Sequence, residues 1–178
     1  MNHAEPVVGG NKRLALATAI MAVLAALGTL FAHHRSISAL SAKNQAILAQ
    51  ARATDSYNAY EAKQIRANIY RALLATELVR SAETRARLES VAEREESSSP
   101  GVLEKAQALE AQAGKDDARS EVVMRSYELL QFATTFFQIA IVVLSISALT
   151  ATRILFPLGS ALSAIGLILF VVGLVQSR

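Results

Sequence analysis

The residue types that most often carry chemistry are few in this sequence and poorly spaced for it. His3, His33 and His34 are the only imidazoles. Adjacent side chains on a helix point about 100° apart, so His33 and His34 lack the i, i+4 spacing that places two ligands on one zinc ion. Cysteine is absent, which removes disulfides and thiolate metal sites. Neither a glycine-rich phosphate loop nor a Ser-His-Asp arrangement occurs. Glu93, Glu95 and Glu96 lie in a mixed-charge run, a pattern that reads as a solvated face. The expectation is a chain that is not an enzyme and takes no cofactor and no metal.

One cluster stands out as a candidate interaction site: Asp55, Tyr57, Tyr60, Lys63, Ile65, Arg66, Ile69 and Tyr70. Three of the chain's four tyrosines fall within it. Tyr57 and Tyr60 lie on adjacent helix faces, and Lys63 is one turn beyond Tyr60. Tyrosines in such a place anchor at a membrane interface or pack between helices with the hydroxyl kept wet. Packing is the plainer reading, and a ligand site the sharper one.

The elements that must hold this cluster are set by how apolar residues are distributed. Hydrophobic residues make up 52% of the 178-residue chain, mean hydropathy is +0.31, and the apolar residues gather at the two ends. A first span is expected over 14–32, after a tail over 1–13. It has no ionisable residue and, at about 1.5 Å per residue, covers roughly 28 Å, near the hydrocarbon thickness of a bilayer. Lys12 and Arg13 before it also fit a signal peptide. The run is longer than the usual apolar core of one, however, and Leu30-Phe31-Ala32 is a poor cleavage site, so an uncleaved anchor is expected. Further spans are expected over 132–150 and 154–175, joined by Ala151 to Arg153 as a tight helical hairpin. Neither shows the polar face of a soluble buried helix.

None of the spans carries Asp, Glu, Lys, Arg or His, the groups on which proton relays and ion-coupled transport rely. Thr134, Thr135, Gln138, Ser145 and Ser147 could line a pore between several copies, but bonding to backbone carbonyls or neighbouring helices is the simpler expectation. Gly159, Ser163, Gly166 and Gly173 step by four, three and seven along one face of the last span, a candidate for close helix packing. Thr18, Ala22, Ala25 and Thr29 offer a weaker counterpart on the first.

The segment over 33–131 is expected to be extramembrane. It holds 14 Lys/Arg against 14 Asp/Glu, so it has no basic face for nucleic acid. From Ser36 to Glu96 it lacks Gly and Pro and is rich in helix formers. A stripe through Ala51, Thr54, Asn58, Ala62, Ile65, Ile69, Leu73 and Thr76 steps by threes and fours, and is expected to pack on the chain's return leg or on another copy. Breaks are expected near 97–101, from Ser97-Ser-Ser-Pro-Gly101, and near 114–116, where Asp116 or Asp117 would cap the next helix. A straight helix over 33–96 would rise about 95 Å against about 45 Å for the return over 102–131. A further break is therefore expected around Thr54-Asp55-Ser56. A reversal near Ser81–Glu83 would balance the legs, but no Gly or Pro marks it.

The run from Ala53 to Tyr70 resembles the central signature of a bacterial membrane family known as a domain of unknown function, DUF4337. The matching positions are Asp55, Tyr57, Tyr60, Ala62, Lys63, Ile65, Arg66, Ile69 and Tyr70. Gln138-Ile-Ala-Ile-Val142 with Ser145, Ala148, Leu149, Thr150 and Arg153 resembles the family's penultimate span. Tyr57 stands where the family usually has Trp, and Ala59 where it has a second aromatic. The resemblance implies an all-α integral membrane protein with three transmembrane helices and a long helical or coiled-coil segment between the first and second, and implies no activity. The functional expectation is a scaffold or accessory subunit in the bacterial inner membrane. Its expected partners are membrane lipids and either further copies of itself or a larger membrane complex, with no nucleic acid. An oligomeric sensor or channel-like protein is the alternative. Cations beside the spans nearly balance across the two sides, and Lys12 and Arg13, abutting span one, tilt the expectation toward a periplasmic middle segment.

Overall fold

The computed structural model describes residues 9–76, 79–150 and 154–176, with side chains from Ala15 onward. Among the described residues there are three helices and no strand: α1 (Gly9–Ala75), α2 (Ala82–Thr150) and α3 (Leu155–Val175). Each is long and apolar enough to cross a membrane. Helix α1 starts inside the tail expected over 1–13. The Ala151 to Arg153 connection, on which the tight-hairpin expectation rests, lies outside the described residues. The chain divides into two compact units, one of residues 1–41 and 119–178, the other of residues 42–118.

The first unit is built on all three helices. Its core joins Met21, Ala25 and Ala32 of α1, Leu130, Ala133, Phe137, Ala140 and Leu144 of α2, and Phe170 of α3. Larger aliphatics such as Val23, Leu30, Val142 and Ile168 stay on the outside. Small residues set the approach of α3. A Cβ added to Gly159 would lie 2.7 Å from Leu144 Cγ, one on Gly166 3.0 Å from Phe137, and one on Gly173 3.1 Å from Leu130. On α1 the packed face runs through Met21, Ala25, Gly28 and Ala32. Of the counterpart expected there, Ala25 is buried and Ala22 exposed. Gly28 is the close approach: a Cβ on it would stand 2.5 Å from Thr134 Oγ1.

The second unit pairs residues 42–75 of α1 with residues 82–118 of α2 in antiparallel register, as bonds from Lys63 to Ser98 and from Lys43 to Asp117 require. The seam is almost entirely alanine. Ala42, Ala46, Ala49 and Ala53 alternate steps of four and three, Ala67 continues the same face, and Ala92, Ser99, Ala106 and Ala113 recur at sevens on the other leg. Alanine lets the axes approach toward the near end of the usual range of about 8–10 Å.

Three expected interruptions of the middle segment are absent. Helix α1 runs unbroken through Thr54, Asp55 and Ser56 to Ala75. Helix α2 runs through both 97–101 and 114–116. Pro100 cannot donate to the Glu96 carbonyl one turn back, and the Ser99 hydroxyl takes over that bond at 2.9 Å. Gly114 is absorbed without a break, and Asp117 pairs with Lys43 in place of capping a new helix. The reversal comes at the place that balances the legs. Ser81 opens α2, its Oγ accepting from the Thr84 N–H at 3.4 Å and its carbonyl from the Arg85 N–H at 3.0 Å. Glu83 complements the positive helix end. Across the turn, Arg85 donates to the Leu74 carbonyl at 2.9 Å.

Candidate functional site

The candidate cluster on α1 turns toward the chain's own second leg. Lys63 sits on the alanine seam's flank and reaches two groups of α2, Glu95 Oε2 at 3.3 Å and Ser98 Oγ at 2.7 Å. Arg66 Nη2 meets the same Glu95 oxygen at 3.2 Å. Glu95 is only 17% exposed. Burial pushes its carboxyl up, yet the hydrogen bonds and charges of Arg66 and Lys63 together outweigh that and hold it below the usual carboxylate range. Beside them, Gln64 donates to Ser99 Oγ at 2.8 Å, and Arg71 pairs with Glu96. Glu95 and Glu96 are therefore engaged between the legs, whereas Glu93 is exposed as a solvated face requires.

Tyr57 donates its hydroxyl to Glu110 Oε2 at 2.7 Å. That hydrogen bond, then burial, then the Glu110 charge raise the phenol's pKa. Tyr60 and Tyr70 are half-buried, and Asp55 is exposed. The structure thus brings Tyr57, Lys63 and Arg66 against α2 and leaves Asp55 outside. A shallow depression of about 240 Å³ lies further along the same unit, lined by Lys43, Ala46, Ile47, Gln50, Ala113, Gly114 and Asp117. It opens where Gly114 presents no side chain.

The stripe expected to pack does the opposite within one chain. Ile65 is 57% exposed and Ile69 51%, and Leu73, Ala51, Thr54 and Asn58 are exposed as well. The alanines took the inward face because two helices that approach closely have no room for branched side chains between them. The larger apolar groups remain on the outer side of α1.

In the first unit, hydroxyls of the apolar helices turn back on their own backbone. Thr134 donates to Leu130 O, Thr135 to Gln131 O, and Ser145 to Ile141 O. Polar contacts tie α3 to its neighbours: Ser126 Oγ donates to Gly173 O at 2.6 Å, and Ser163 Oγ lies 3.0 Å from Met21 Sδ. A small cleft, missed in the sequence, lies between α1 and α2. It has a volume of about 170 Å³ and is lined by Thr29, Ala32, His33, Ser36, Tyr127, Gln131 and Thr134. Its signal was there to find, since polar residues of both helices cluster at the boundaries of the apolar runs. Among the described residues no three His, Asp or Glu side chains form a metal-holding group.

Fold and surfaces together define an all-helical protein with three helices able to cross a membrane. The family model described as a domain of unknown function (DUF4337) matches residues 10–176, and the chain belongs to that family. No curated protein and no solved structure matches it.

Proposed function

We propose that this protein is a membrane-anchored helical scaffold, an accessory subunit of a membrane protein assembly, with no catalytic activity of its own. In this reading the spans over 14–32, 132–150 and 154–175 sit in the bilayer. Residues 33–131 lie outside it, and the alanine-seamed legs form an antiparallel coiled coil. The observation that carries the proposal is the face left outward on α1. A pair of helices that buries alanine and exposes Ile65, Ile69 and Leu73 has spent its small residues on itself. Its branched aliphatics remain for another helix, from a further copy or a larger complex. Purification in mild detergent followed by native mass spectrometry tests this. Several copies, or a stable complex with another chain, are expected, and a monomer without partner contradicts it.

The bacterial inner membrane is the fitting location, with the middle segment periplasmic. Alkaline phosphatase fused at residue 97 should then be active and green fluorescent protein fused there dark, and the reverse pattern places the segment in the cytoplasm. An oligomeric sensor or channel draws support from the exposed Thr135, Gln138 and Ser145 on α2. Thr135 and Ser145 already donate to their own backbone, so the scaffold is preferred. Conductance in planar bilayers would reverse that order.

A further inference from the structure

The cleft between α1 and α2 is a polar cavity placed where the apolar runs end. Thr29 and Ala32 belong to the last turn of the apolar run over 14–32, Gln131 directly precedes the run over 132–150, and Thr134 lies in that run's first turn. If those runs span the bilayer, as proposed above, the cleft lies at headgroup depth. We propose that it binds the hydroxyl-rich headgroup of a membrane lipid, with the acyl chain of the same lipid lying along α1.

The lining specifies the chemistry. None of the lining side chains is a Lys, Arg, Asp or Glu, so the cleft offers no formal charge pair to a phosphate or carboxylate. It offers neutral donors and acceptors in mixture, the complement of a polyol. Gln131 donates from Nε2 to the Tyr127 hydroxyl at 2.8 Å, which leaves the Tyr127 proton and Gln131 Oε1 unspent. Thr29 and Thr134 have committed their protons to Ala25 O and Leu130 O, so their oxygens remain as acceptors. Ser36 and His33 add a hydroxyl and an imidazole. The volume of about 170 Å³ is well above the roughly 10–15 Å³ that a single water needs, enough room for a glycerol headgroup.

The face continues toward the centre of the apolar run. Ala22, Ala26, Thr29 and His33 follow one another by four, three and four residues, and Ala22 and Ala26 are small and exposed. On α2, the exposed Gln138 lies seven residues beyond Gln131, on the same side. Helix α3 packs elsewhere on α1, at Gly28 and Phe31, and leaves this track open.

The test is native mass spectrometry of the full chain released from vesicles of equimolar dioleoyl phosphatidylglycerol, phosphatidylcholine and phosphatidic acid. Retention of phosphatidylglycerol above both others is expected. The Tyr127→Phe and Ser36→Ala double variant should lower that preference about five-fold or more, on the scale of lost neutral hydrogen bonds, with helicity by circular dichroism unchanged. Retention of phosphatidic acid equal to phosphatidylglycerol would assign the contact to phosphate and overturn the polyol. Equal retention of all three overturns the inference alone, as does a folded variant with an undiminished preference. Should the variant not fold, the headgroup ranking of the unaltered chain decides. Binding of soluble glycerophosphoglycerol as tight as that of the lipid would remove the membrane source. A chain that does not float with vesicles at all overturns the anchoring reading together with this one.

Discussion

Ser99 does two things that an alanine in its place would leave undone. Its hydroxyl accepts from Gln64 and donates to the Glu96 carbonyl that Pro100 cannot serve. At 2% exposure it sits in the alanine seam itself. Ser99→Ala should therefore destabilise the paired legs by about 1–3 kcal/mol, the cost of leaving buried polar groups unsatisfied. In a Pro100→Ala background the restored amide bonds Glu96, and the same substitution should cost measurably less. Thermal melts of the four chains give this coupling directly. Glu95 makes a second prediction. Its pKa is lowered in the folded state by Arg66 and Lys63, so the stability it contributes is present above the unfolded carboxylate range. That stability is lost as pH falls through the lower folded value. Acid titration of helicity should show this loss, and Glu95→Gln should flatten it. The sequence offered Glu95 only as one of several acids in a mixed-charge run. Nothing there separated it from Glu93, because the distinction depends on which side of α2 meets α1.

At the scale of elements, the apolar runs were legible because twenty or so unbroken apolar residues have few other uses. The breaks expected at 97–101 and 114–116 follow from Pro and Gly as local stops, while here Ser99 repairs the proline and tertiary pairing carries α2 past Gly101 and Gly114. The break expected at 54–56 follows from unequal legs, and the reversal between Ala75 and Ala82 removes that inequality. The true reversal was hidden because it uses a serine cap with no Gly or Pro. The expected stripe from Ala51 to Thr76 follows spacing on α1 alone, whereas close approach to α2 selects the face of Ala42, Ala46, Ala49, Ala53 and Ala67. A Cβ at Gly114 would meet nothing within 4 Å, so Gly114→Ala should stabilise the helix by about 0.5–1 kcal/mol. The opposite holds in the first unit. Gly166→Leu drives side-chain bulk into Phe137 and should separate α3 from α2, lowering the melting temperature in detergent. If Gly166→Leu melts like the unaltered chain, α3 does not pack as described.

For the whole protein, three helices of spanning length fit the proposed membrane anchor, and the outward Ile65, Ile69 and Leu73 would give the proposed scaffold a face with which to hold a partner. The sequence predicts, from the thin stripe on α1, packing either on the chain's own return leg or on another copy. It could not say which face the chain would use on itself, since that choice is made by both legs together. The chain contains no cysteine, so single cysteines report on these faces without background. Ile69→Cys places a thiol on the outer face, and Ala67→Cys one in the seam between the chain's own legs. The decisive measurement is thiol-to-amine cross-linking of each variant in intact membranes, which captures a second copy or a different chain alike. The scaffold account predicts a covalent product larger than the monomer from Ile69→Cys and none from Ala67→Cys. Monomer from both variants would contradict it.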